Sequence, residues 1–119
     1  MHKLLIVTTA LMLGACAGLG PVGPAPGVLV YKYVGSRQCE GGGVPVEKMM
    51  RQLSEAGIPV MNLSCGTDGR MYPAMCGAPD GRIGILEVPE GKLSAASALG
   101  FAPLTSLPEA SKTVCPKAS

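Results

Sequence analysis

Tryptophan is absent from this chain, and Phe101 is its only phenylalanine. Large aromatic rings dominate the energetics of many cores. Here the core has to come from aliphatic and methionine side chains, and it is modest. Histidine is as scarce: the single one is His2. Beyond it there is no imidazole, which excludes Ser–His and Cys–His nucleophile pairs. Zinc sites of mixed Cys and His fall on the same ground, and an all-Cys site lacks any C-x2-C pair. The formal net charge is +2 and no basic run occurs, so no nucleic acid is expected as partner, because phosphate binding needs clustered positive charge. No apolar run reaches the roughly 20 residues that a membrane-crossing helix requires.

What the N-terminus does have is ordered. Lys3 supplies positive charge, and Leu4 to Leu13 is apolar apart from Thr8 and Thr9. That is the length of a signal-peptide core, about 7–15 residues. Leu13-Gly14-Ala15-Cys16 follows, an aliphatic residue and two small ones before a cysteine. This stretch resembles the lipobox of bacterial lipoproteins. The resemblance implies that Leu13, Gly14 and Ala15 are read by the signal peptidase. Cys16 then becomes the lipid-modified first residue of the mature chain. One acyl chain binds a membrane only marginally and several hold firmly. Ala17 stands where an Asp favours inner-membrane retention in enteric-type lipoproteins. The resemblance therefore implies an outer-membrane anchor facing the periplasm.

The chain then divides into a signal peptide at 1–15, a Gly/Pro tether at 16–27, a domain at 28–104 and a tail at 105–119. Prolines in the tether remove donors and its glycines add chain entropy, so neither helix nor sheet is favoured. With Lys3 gone, basic and acidic residues nearly balance. With Cys16 lipidated, Cys39, Cys65, Cys76 and Cys115 remain, an even set that reads as two disulfides in an exported chain. Small domains with modest cores often need such staples.

Alternating Val and Tyr predict a strand over Val28–Cys39, broken by Gly41-Gly42-Gly43. Val46, Met49, Met50, Leu53 and Ala56 form an apolar stripe at helical spacing, predicting a helix over Val44–Ala56 with Pro45 in its first turn. Gly57 and Ile58 suit the C-terminal cap. A strand over Ile58–Cys65 and a short edge strand over Met71–Cys76 follow, Pro73 forbidding the latter a central place. Arg82–Val88 is the most apolar strand. Lys92–Leu99 is a second helix whose end, Leu-Gly-Phe, repeats the capping chemistry of Ala-Gly-Ile. The order β-α-β-(β)-β-α predicts a small two-layer, disulfide-braced α+β domain. The first two strands are parallel if they share a sheet, and the last lies antiparallel beside strand one. Four cysteines allow three pairings; crowding at one rim favours Cys39–Cys76 with Cys65–Cys115.

The remaining constellations have bland explanations. Gly41–Gly43 lacks the residues of phosphate-binding loops. Asp68-Gly69 and Asp80-Gly81 read as turns without a calcium ladder, and Glu87 with Glu90 as exposed charges. Met71, Met75 and Cys76 place soft ligands together, a pattern that suits Cu(I) but is commoner as gap-filling methionine. No cofactor and no catalytic activity follow. Gln38-Cys39-Glu40 and Cys76-Gly77 also resemble a pattern in small exported bacterial proteins, and that likeness brings no activity. The expectation is a membrane-anchored envelope lipoprotein with two partners: membrane lipid through acylated Cys16, and an envelope protein. The alternative is an envelope thiol-redox or copper-handling protein.

Overall fold

The computed structural model describes residues 26–116. The stretch Leu13–Cys16 and nearly all of the tether lie outside the described residues. Seven elements follow in chain order: β1 (Gly27–Tyr33), α1 (Val46–Glu55), β2 (Asn62–Thr67), β3 (Arg82–Pro89), α2 (Leu93–Ala98), β4 (Ala102–Pro103) and β5 (Ser111–Thr113). The strands form one sheet in the order β4-β1-β3-β2-β5, every neighbouring pair antiparallel. The domain is α+β. β1 and β2 both run against β3 and are therefore parallel to each other, with β3 between them.

β3 holds the centre because both its faces are apolar. Leu86 and Val88 face the helices, joined there by Val30, Leu53, Met49 and Phe101. Ile83 and Ile85 face the other way, onto Leu107, with Leu29, Tyr31 and Leu104 around them. Side chains of this size contribute about 1.5–3 kcal/mol each when fully buried. α1 lies close on β3 because Gly84 leaves room; a Cβ there would stand 2.5 Å from Met49 Sδ.

Both helices end alike. Gly57 (φ 79°) lets the Ile58 N–H reach Leu53 O at 2.9 Å, and Gly100 (φ 93°) lets the Phe101 N–H reach Ala96 O at 3.1 Å. In each case the residue after the glycine is buried in the core, the apolar contact that accompanies this cap. Lys32 Nζ reinforces the second, bonding Leu99 O at 3.1 Å and lying 4.8 Å from the centre of the Phe101 ring.

Five expectations need correction. β1 ends at Tyr33, not Cys39, because Gly35 turns to φ 80°. Pro45 stands just before α1 as its cap. Ile58 is spent on the helix cap, so β2 starts at Asn62 and runs on to Thr67. Met71–Cys76 is no strand: the side chain of Gln38 takes the place of a neighbouring strand, donating to Pro73 O at 2.9 Å and accepting from Met75 N–H at 3.1 Å. The segment expected as an irregular tail after residue 104 buries Leu107 and adds β5 to the sheet edge beside β2.

Candidate functional site

β1 enters beside Pro89 and leaves beside Ile83. The six steps from Gly27 to Tyr33 put roughly 20 Å between those ends. At the first end the incoming chain is tied down by the Glu90 N–H bond to Pro26 O at 2.9 Å. The second end carries the loops at 34–45 and 68–81, and we refer to it as the loop pole.

Two Asp-Gly-Arg turns organise that pole. In each the aspartate Oδ1 accepts the N–H two residues on: Arg70 N to Asp68 at 2.9 Å and Arg82 N to Asp80 at 3.0 Å. Local side-chain bonds of this kind are why Asp favours turns. The second oxygen of each then reaches across the fold. Asp80 Oδ2 accepts from the buried Ser36 hydroxyl at 2.6 Å and lies 3.6 Å from Arg82 Nε. Asp68, itself only 2 % exposed, accepts at Oδ2 from Tyr33 Oη at 3.0 Å and from Tyr72 Oη. Burial pushes the Asp68 carboxyl up, but the hydrogen bonds from Tyr72, the Arg70 N–H and Tyr33 outweigh it, and the net shift is down. Burial and the bond to Asp68 push the Tyr33 phenol up to about 12; the bond to Asp68 raises Tyr72. Both phenols stay protonated as donors at neutral pH. They lock the loop and are poor nucleophiles.

The two loops are joined to each other as well. Gln38 N–H bonds Ala78 O and Gly77 N–H bonds Gln38 O, both at 2.9 Å. Arg37 Nη1 donates to Gly77 O at 2.9 Å, and Gln38 Nε2 reaches Pro79 O at 3.2 Å. The disulfide Cys39–Cys76 closes the same junction, and Cys65–Cys115 fastens the end of the described chain to β2. Cys76 is thus bonded to Cys39, so Met71, Met75 and Cys76 do not present a thiolate set in this state. Among the described residues no group of three His, Cys, Asp or Glu is placed to hold a metal ion.

This frame holds apolar side chains out in solvent. Met71 is 98 % exposed and Met75 60 %, and Tyr33 and Val44, at the two ends of the loop at 34–45, are 40 % exposed. Next to them a groove of about 880 Å³ opens between the start of α1 and the Cys65–Cys115 bond, lined by Val34, Gly42, Val46, Arg82 and the exposed Val114. Sequence reasoning placed Asp68 in a turn and Gln38 in the Gln-Cys-Glu pattern but missed the bonds that each makes across the fold, and it missed Ser36 altogether. The repeated Asp-Gly-Arg was the available signal for Asp68; nothing local marked the contacts of the other two.

No protein-family model, curated protein or solved structure matches the chain.

Proposed function

We propose that this is a lipid-anchored envelope protein that holds the loop pole out toward a protein partner, without catalysis of its own. Acylation at Cys16 would place its tether in the outer membrane, facing the periplasm. What carries the reading is polarity. The tether joins the domain at the start of β1, and the exposed apolar side chains gather at the opposite end. Among the described residues, Met61 is the one exposed large apolar side chain near the tether end, whereas Tyr33, Val44, Met71 and Met75 stand at the loop pole and Val114 lines its groove.

A rigid loop suits recognition because its ordering entropy is already lost before binding. Met and Arg are enriched in protein interfaces, and methionine adapts to irregular pockets. Arg70 and Met71 stand together here, held in place by Asp68 and Tyr72. Two methionines without an exposed Trp or Phe make a poor membrane wedge, which favours a protein over a lipid surface at this end.

The test is site-specific photo-cross-linking in the native envelope. A probe at Met71 or Met75 is expected to give one discrete protein adduct, and a probe at Glu55 or Lys92 is not. Equal adducts from all four positions, or lipid adducts from the first two, contradict the reading. Cys16→Ser is expected to release the protein from the membrane fraction.

A further inference from the structure

We propose that Cys39–Cys76 is a thiol–disulfide exchange site that takes a dithiol as its reaction partner, while Cys65–Cys115 is a structural staple. This goes beyond display of the loop pole and does not rest on the lipid anchor.

The two bonds differ in surroundings. Cys39 and Cys76 are both exposed, whereas Cys65 and Cys115 are half-buried and pack against the main core. They differ little in ring size, with sequence separations of 37 and 50, so the chain-entropy term is nearly equal for both. Access separates them.

Backbone conformation points the same way. Cys39, at φ 67°, is the only non-glycine residue with positive φ among the described residues. That conformation costs an L-residue roughly 1–2 kcal/mol. Glycines adopt it nearby without that cost, at Gly41, Gly42 and Gly77. A residue needed only to turn the chain would be glycine here. What the position keeps is the sulfur.

The approach to it is open. A Cβ on Gly41 or Gly42 would meet nothing within 4 Å, and on Gly77 only Glu40 Oε1 at 3.6 Å. Hydrogen bonds also cross the junction in parallel with the disulfide. The Gln38 side chain bonds Pro73, Met75 and Pro79, and Arg37 bonds Gly77. The Cys65–Cys115 bond has less in parallel, because β5 pairs with β2 over only three residues.

In the step, an incoming thiolate attacks one sulfur of Cys39–Cys76. A mixed disulfide forms and the other cysteine leaves as thiolate. The second thiolate of the incoming dithiol then attacks the mixed disulfide and departs in its own disulfide. Cys39 and Cys76 gain two electrons and two protons, and the dithiol loses them. Either a small dithiol or a protein of the C-x-x-C type supplies that chemistry.

The purified, folded full chain is treated under native conditions with limiting dithiothreitol, quenched with iodoacetamide and mapped by peptide mass. Cys39 and Cys76 are expected to become alkylated on the order of 100-fold faster than Cys65 and Cys115, as an exposed bond should against a packed one. The far-ultraviolet circular dichroism should not change. Equal rates, earlier opening of Cys65–Cys115, or loss of dichroism in step with alkylation would overturn the proposal. A C-x-x-S variant of a dithiol protein distinguishes the source. Its capture on Cys39 or Cys76 identifies a protein dithiol. Fast reaction with dithiothreitol without capture identifies a small one. The paired Cys39→Ser, Cys76→Ser variant should fold and capture nothing. The wild-type rates decide the matter even if that variant does not fold.

Discussion

In the body of the domain Leu53 and Leu86 on one face of the sheet and Ile85 on the other are held by apolar contact; at the loop pole Ser36, Gln38 and Asp68 are held by hydrogen bonds aimed at single atoms. Apolar contact is non-directional and tolerates repacking. Directed bonds fix a loop in one conformation even where there is too little apolar surface to bury. The comparison shows how a domain with no tryptophan and a single phenylalanine keeps a protruding loop rigid: the core supplies stability, and the polar frame supplies shape.

Breaking the body should have the largest effect. Leu53 is fully buried between α1 and the sheet, and Leu53→Ala is expected to cost about 2–5 kcal/mol. Chemical denaturation of the purified protein measures this. Replacing Cys65 and Cys115 together with serine should come next, at about 2–4 kcal/mol. This variant should lose protection from hydrogen exchange first in β5, which only short pairing and that bond retain.

Asp68→Asn sharpens the comparison from the other side. Hydrogen bonds to a charged group contribute about 1.5–3 kcal/mol, and the loss should appear mainly as mobility at residues 68–76. The sign of the pH effect follows from the lowered carboxyl. Stability from ionised Asp68 is present above the unfolded value near 3.8 and is lost as pH falls through the lower folded value. Thermal unfolding across that acid range should show the loss in the wild type, and that component should be missing in Asp68→Asn. Smallest of all, Met71→Ser should change stability by less than about 0.5 kcal/mol, since the side chain touches almost nothing. A larger change would mean that Met71 serves the fold and not a partner.

The body was largely legible in the sequence. The stripe Val46, Met49 and Leu53 gives the buried face of α1, and Gly57 and Gly100 with their following apolar residues give the two helix ends. Arg82–Val88 read as the most apolar strand and as a neighbour of strand one; that it also takes the centre of the sheet, with β2 on its other side, is seen only in the structure. β4 and β5 were not legible, because two or three residues carry no periodicity and their pairing is decided by where β1 and β2 leave open edges. The loop pole was legible only in part. Asp68-Gly69 and Asp80-Gly81 read correctly as turns, but a local signal cannot say that the second oxygen of Asp68 will meet Tyr33 from a strand 35 residues earlier. The same holds for Gln38, whose amide replaces a strand partner for residues 73 and 75.

The most direct test of the account is the intact mass of the protein taken from membranes of its native host. The chain is expected to begin at Cys16 and to carry acyl groups on that residue, with two disulfides closed. A chain that begins at Met1, or a soluble form with an unmodified Cys16 thiol, would contradict it.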